Sequence, residues 1–401
     1  MGKTLFFNIP ATGHINPSLA VVAELVRRGE QVLYVNTAET RAAIEPTGAQ
    51  FVAYPESSAL ATQMERTAGG TIPRNALALH RINEALLPWA LDLIDHVHPD
   101  RVVFDSLAGW GKHAAHLRGM KAIASISTFV LDPRINRPPM PTGMILRTTA
   151  QVMGTLIPYL QTARRMRARH GKVSLGGPLG SVMNTGDVNL VYTSAAFQPG
   201  AERMGPRFHF VGPSISARPD TTGFPFEQIT GSPVVYISLG TINNQNLEFY
   251  RACFAAFADH PGQFILSAGK RTDLAALNPI PANFIVRNFV PQLDVLQRST
   301  VFITHGGMNS VHEGLWYNVP LIAIPQQIEQ AVVAGQVEAT GVGLALGIQP
   351  PLGQVRAEEL RAALDRILGK LEGYRHAAAR MGDTLRGAGG YVRAADVILG
   401  Q

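Results

Sequence analysis

The chain has 401 residues, 46% hydrophobic and 16% charged, with 39 Gly, 27 Pro and a single cysteine, Cys253. This composition excludes a disordered chain and a collagen-like repeat, and one cysteine excludes an internal disulfide and a cysteine-built zinc cage. No run approaches the roughly 18 apolar residues of a membrane-spanning helix, so a cytoplasmic address is expected. Thirty-five Lys and Arg against 29 Asp and Glu give a formal charge of +6. The basic excess gathers at Arg164, Arg165, Arg167, Arg169 and Lys172, where helical geometry spreads it round several solvated faces. No nucleic-acid partner and no membrane contact are expected from it.

In chain order, strands are expected at 4–10, 31–37, 49–54, 101–106, 121–127 and 188–194, with helical patterns between most of them, including 17–29. Strands apolar nearly throughout, separated by amphipathic helices, require a parallel sheet covered on both faces. Residues 129–180 carry six prolines, among them Pro133, Pro141 and Pro158, and fit no strand period. This stretch is expected to be irregular or loosely helical and is a candidate wall of a variable pocket. Gly, Pro, Ser and Thr then crowd 212–232 as a linker. The alternation resumes with strands at 234–240, 263–269, 283–289, 301–307 and 321–325. The fold class expected is α/β: two Rossmann-like doubly wound parallel-sheet domains, 1–213 and 233–387, joined by a linker at 214–232. Two such domains make a cleft, with ligands beyond the carboxyl ends of the strands.

No GxGxxG follows a strand, and no GxxxxGK[ST] or DxD pair is present. The informative segment runs from Arg287 to Gln330. There the strand VFIT ends at His305, Gly306 and Gly307 follow, and Asn309, Ser310 and Glu313 open or line the next helix. Free N–H groups at that helix start, close approach past the glycines and flanking polar side chains form an anion site suited to a diphosphate. Glu313, one turn deeper, can accept two hydrogen bonds from a ribose diol. Phe289 can stack on a planar base while the Val290 backbone reads its edge. Glu329 and Gln330, after the following strand, suit sugar hydroxyls.

The order Phe289-Val290-Pro291-Gln292, then THGGMNSVHE (304–313), then VPLIAIPQQIEQ (319–330) resembles the signature of the GT-B UDP-dependent glycosyltransferases. ATGHINP (11–17) is similar to the GHxNP turn of the bacterial macrolide and phenolic members. The resemblance implies the GT-B fold, with residues 388–401 as a last helix crossing back to the N-terminal, acceptor-binding domain. It implies that His14, on the loop after the first strand, is the catalytic base and that Asp105 orients it. Thr241, His305, Gly307, Asn309 and Ser310 would meet the diphosphate, Glu313 the ribose, Phe289 and Val290 the uracil with Gln292 nearby, and Glu329 and Gln330 the sugar. Phe289 stands where many plant members have Trp, and Glu329 where many members have Asp.

The reaction so implied is inverting transfer of a hexose, glucose being expected, from a UDP-sugar to a hydroxyl of a small apolar acceptor such as a phenol, flavonoid or macrolide. The UDP-sugar is a substrate; no permanently bound cofactor and no metal are expected. The alternatives are a transferase acting on a membrane lipid and a non-catalytic nucleotide-sugar-binding protein. Leu60, Phe129, Ile135, Met140 and Met144 are candidate acceptor-pocket lining. His312 is expected at the surface and Cys253 in the core, while His113 and His116 lie three apart on a helix without a third metal ligand in sight.

Overall fold

The computed structural model describes residues 2–58, 60, 62–64, 71–131, 142–171, 173–216, 223–241 and 244–401. Compact units comprise Met1–Ser214 with Ala388–Gln401, and Ile215–Gly387.

The first unit holds a sheet of β1 (Lys3–Phe7), β2 (Gln31–Asn36), β3 (Gln50–Ala53), β4 (Arg101–Asp105), β5 (Ala122–Ile126), β6 (Val188–Val191) and β7 (Phe208–Phe210). All pairings are parallel, in the order β3-β2-β1-β4-β5-β6-β7. Period-2 alternation divides the strand side chains between two cores. Leu5, Phe7, Leu33, Val35, Val102 and Phe104 pack on one face with α2 (Ile72–Val97), α3 (Gly109–Leu117) and α4 (Thr142–His170). Phe6, Val32, Tyr34 and Val103 pack on the other, against α1 (Thr12–Arg27).

The second unit repeats the plan with β8 (Val234–Ser238), β9 (Gln263–Ser267), β10 (Phe284–Arg287), β11 (Val301–Thr304), β12 (Leu321–Ala323) and β13 (Gly343–Ala345). Their order is β10-β9-β8-β11-β12-β13, again parallel. Its helices include α5 (Leu247–Phe257), α6 (Gln292–Leu296), α7 (Met308–Trp316), α8 (Ile328–Ala339), α9 (Ala357–Leu368) and α10 (Leu371–Gly387). Strand order reverses direction at β1 in one sheet and at β8 in the other, and such reversals open crevices at the carboxyl ends of the flanking strands.

The chain then returns to the first unit. Gly389 and Gly390, both at positive φ, make the turn, and Gly390 N–H donates to the Val211 carbonyl. α11 (Gly390–Leu399) buries Ala394, Ala395 and Ile398 against Val21, Val22 and Leu25 of α1. Arg28 reinforces the join, donating to Asp396 Oδ1 at 2.7 Å.

Two expectations are corrected here. The first helix starts at Thr12, five residues before 17–29, so His14 lies in its first turn rather than on a loop. Pro17 sits inside that helix, where a missing N–H disturbs the ladder. Asn8 Nδ2 donates to the His14 carbonyl at 3.2 Å and Ser18 Oγ to the Ile15 carbonyl at 2.7 Å, side-chain bonds that hold the neighbouring carbonyls of this first turn in place. Within 129–180, residues 142–170 form one long regular helix in spite of Pro158. Tyr159, Ala163 and Met166, at helical spacing, bury against the core shared with α2, and Arg165 pairs with Glu84 of α2 at 2.6 Å. Tertiary packing overrides the proline. Among the described residues no helix is long and apolar enough to cross a membrane.

Candidate active site

In the first unit, β1 and β4 lie side by side, with Phe7 opposite Phe104, so the segments leaving both strands meet at one end of the sheet. Asp105 closes β4 and is buried. Its Oδ1 accepts from the Leu107 N–H at 2.9 Å, and its Oδ2 lies 2.8 Å from His14 Nδ1. Burial of a carboxylate is tolerated only when it is hydrogen-bonded in this way. A carboxylate accepts only, so Nδ1 carries the proton and Nε2 is the basic nitrogen of the neutral ring. His14 keeps 19% of its side chain exposed while Asp105 keeps none. Ser127 Oγ, just past β5, lies 3.1 Å from the same Nδ1. The sequence pattern did not single it out.

In the second unit, β8 and β11 are neighbours, with Thr304 opposite Ser238. The imidazole of His305 occupies the space between the two segments that follow. A Cβ on Gly240 would stand 2.5 Å from its Cε1, and one on Gly307 would stand 2.3 Å from its Nε2. Glycine is therefore required on both sides by close approach. Desolvation lowers the His305 pKa to about 4, so the ring is neutral near pH 7. Its Nδ1 is buried without a hydrogen-bond partner, as is Thr304 Oγ1, and such groups cost free energy until water or a ligand satisfies them.

Gly307 is the N-cap of α7, whose first turn carries Asn309 and Ser310. Glu313 follows one turn on and is buried with Ser310. Gln292, at the start of α6, donates through Nε2 to Glu313 Oε2 at 2.5 Å and approaches Ser310 Oγ at 3.4 Å. Its Oε1 accepts from the Tyr236 hydroxyl at 3.2 Å. Gln292, Ser310 and Glu313 are thus one hydrogen-bonded group. Tyr236 escaped the sequence reading, although a tyrosine inside an otherwise apolar strand signals a hydroxyl that needs a buried partner.

The other expected residues stand at neighbouring strand ends of this unit. Thr241 is exposed after β8. Phe289 is 52% exposed with the Lys270 ammonium 5.7 Å from its ring centroid, and the Val290 side chain is buried. Glu329 is exposed in the first turn of α8, while Gln330 Oε1 accepts from the Gln326 N–H at 2.8 Å. Among the described residues, no hydrogen bond joins Thr241, Phe289 or Glu329 to the Gln292 group.

Four further expectations resolve as follows. His312 is buried in α7, not at the surface, because it lies on the helix face that also carries Leu315; desolvation pushes its pKa down to about 3. Cys253 is buried in the second core, and burial raises its thiol pKa. His113 is buried and lowered to about 3, while His116 faces Asp187 at 2.9 Å. Among the described residues no group of three His, Cys, Asp or Glu could hold a metal. Leu60 and Phe129 are core residues. Ile135 and Met140 lie outside the described residues, as does the side chain of Met144.

Comparison with known proteins gives a consistent picture. Residues 255–387 match the C-terminal domain of the erythromycin biosynthesis protein CIII-like family. The chain is 33% identical over 406 residues to the uncharacterized UDP-glucosyltransferase YojK of Bacillus subtilis (strain 168), covering 100% of this chain and 97% of that protein. It is 34% identical over 399 residues to the NDP-glycosyltransferase YjiC of Bacillus licheniformis, covering 98% and 96%. Among solved structures, CalG4, the calicheamicin glycosyltransferase, superposes with a TM-score of 0.81 at 26% identity, covering 100% of this chain and 99% of that one.

Proposed function

The chain belongs to the family of bacterial UDP-dependent glycosyltransferases of the natural-product type, and we propose that it moves glucose from UDP-glucose to a hydroxyl of a small apolar acceptor with inversion at the anomeric carbon. The observation that carries this reading is the 2.8 Å hydrogen bond between partly exposed His14 and buried Asp105. In the reaction, His14 Nε2 takes the acceptor hydroxyl proton as the acceptor oxygen forms a bond to the anomeric carbon. The bond from that carbon to the β-phosphate oxygen breaks, and its electron pair leaves with UDP. Asp105 holds the tautomer that makes Nε2 basic and stabilises the imidazolium that results. Displacement on the face opposite the leaving group turns an α-linked donor into a β-glycoside.

On the donor side, the N-terminus of α7, with Asn309 and Ser310, and the neighbouring His305 and Thr241 suit a diphosphate whose charge grows as the bond breaks. Glu313 suits the ribose diol, Phe289 a stacked uracil, and Glu329 with Gln330 the sugar hydroxyls. CalG4 is named for calicheamicin, which supports an acceptor of natural-product class for this chain too. The test is incubation with UDP-glucose and a panel of phenols, flavonoids and macrolides. A product heavier by one hexosyl group, β-linked by its anomeric proton coupling, is expected; an α-linked product would overturn inversion, and no product from any acceptor would overturn the acceptor class.

A second reading has one observation in its favour. Met153, Ile157 and Leu160, at helical spacing on α4, are 63%, 67% and 54% exposed, and exposed Arg164 and Arg167 continue that face. An apolar stripe prolonged by cations suits an acceptor held in an anionic membrane. Flotation with phosphatidylglycerol vesicles separates the readings: the second requires the protein to rise with them, and the first leaves it at the bottom.

A further inference from the structure

Buried Glu313 needs its hydrogen bonds in fixed directions, and one group behind them, the Tyr236 hydroxyl, lies outside the residues expected to touch the donor. Because the carboxylate only accepts, the Gln292 amide nitrogen must face it, as the 2.5 Å contact requires. The amide oxygen must then face the other way, where the Tyr236 hydroxyl meets it at 3.2 Å as donor. Ser238 and Ser267 also approach that hydroxyl, but they can donate to it, whereas the amide oxygen can only accept and so directs the phenol proton toward Gln292. The Tyr236 ring is buried in the middle of β8 and stacked on Phe302 with centroids 4.9 Å apart, and burial holds its phenol well above the ordinary tyrosine range, so the donor proton stays in place.

We propose that Tyr236 is a positioning residue for donor-nucleotide recognition. Acting through Gln292, it fixes the Glu313 carboxylate in the orientation that accepts from the 2′- and 3′-hydroxyls of a ribose. This inference rests on the ribose reading of Glu313. Without the tyrosine proton, the Gln292 amide oxygen loses its hydrogen-bond donor on the strand side. The amide can then rotate away from the carboxylate, and the ordering must be supplied when nucleotide binds. The loss falls on the contact that distinguishes ribose from deoxyribose.

The test is calorimetric titration of UDP and of 2′-deoxy-UDP into the full chain and into Tyr236→Phe, Gln292→Leu, the double variant and Glu313→Ala. One charge-assisted hydrogen bond predicts about 10-fold or more in favour of UDP for the unmodified protein. Glu313→Ala should bring the ratio close to one. Tyr236→Phe should reduce it by about 3-fold or more, and the double variant should match Gln292→Leu because the tyrosine acts through the glutamine. A Tyr236→Phe protein that weakens both nucleotides equally, or neither, overturns the inference and leaves the ribose reading standing. A ratio of one in the unmodified protein overturns the ribose reading and the inference with it. If Tyr236→Phe does not fold, Gln292→Leu decides alone: a ratio unchanged from the unmodified protein overturns the inference.

Discussion

Asp105 accepts two hydrogen bonds, from the Leu107 N–H and from His14 Nδ1, and has no exposed side-chain surface. A carboxylate so held faces the imidazole ring and stabilises the imidazolium that forms when Nε2 takes a proton. Removing the proposed base by His14→Ala should therefore cost on the order of 100-fold or more in turnover with an alcohol acceptor. UDP affinity should be nearly unchanged, since the residues proposed to hold the nucleotide belong to the other unit. Asp105→Asn should slow transfer as well. Acidic phenols, which arrive partly ionised, should suffer less from either change, and steady-state rates across acceptors of graded acidity check this. Glu313 makes a second prediction at the same scale. A deoxyribose offers it one hydroxyl instead of two, and a charge-assisted hydrogen bond contributes roughly 1.5 to 3 kcal/mol, so UDP-glucose should be preferred to TDP-glucose by about 10-fold to 150-fold. Glu313→Ala should shrink that preference; equal efficiency with both donors in the unmodified protein would return Glu313 to an ordinary helix carboxylate.

The turns after β8 and β11 form one device, two glycine-bearing segments closing on the His305 ring. Gly307→Ala places a methyl 2.3 Å from Nε2, and Gly240→Ala adds strain at φ +77 to a 2.5 Å clash with Cε1. Either should displace the imidazole and weaken UDP binding by about 10-fold or more, a displacement of a site group by about 1 Å being enough for such losses. Gly335→Ala, inside α8 where an added Cβ meets nothing within 4 Å, is the matched control and should leave binding intact. These turns were legible in the sequence because their residues serve close approach and polarity at once, and so stand out from an apolar strand. What the sequence hid has physical reasons too. β7 (FHF) carries a histidine and β13 (GLA) opens on a glycine, so neither reads as an apolar β-branched run, although Gly343 is needed because a Cβ there would stand 2.0 Å from the Leu321 carbonyl oxygen. Pro17 read as the first residue of a helix that starts at Thr12, and Pro158 as a breaker where packing carries the helix through. His312 looked like a surface residue because one histidine among apolar neighbours does not reveal which face of α7 the sheet covers.

Each unit of the molecule has its own core and holds a histidine neutral inside it: His113 in the first, His312 in the second, both lowered to about 3 by desolvation. His305, lowered to about 4, acts in the same sense in the second unit. An unfolded chain protonates these imidazoles near pH 6.5, while the folded units do so only near 3 or 4. Above pH 6.5 neither state binds the protons and stability is flat with respect to them. Below it the unfolded state binds more, so each unit loses stability toward acid by up to about 1.4 kcal/mol per pH unit per buried histidine. Glu24 adds a lower limb to the first unit. Its hydrogen bond from Arg27, aided by Arg28, lowers its pKa from 4.5 to about 2, so its contribution is whole above 4.5 and fades as pH falls toward 2. Since Arg28 also bonds Asp396 of α11, that lower limb reports on the returning tail. Unfolding followed by hydrogen exchange, which resolves the two units, should show the first unit weakening between pH 6.5 and 4.5. His113→Gln should reduce the acid loss from pH 6.5 down to about 3, leaving the share that His80 and His209, also lowered by desolvation, contribute; Glu24→Gln should remove only the part below 4.5; His312→Gln should alter the second unit alone. A first unit as acid-sensitive between pH 6.5 and 4.5 without His113 as with it would show that its imidazole is not the group that titrates.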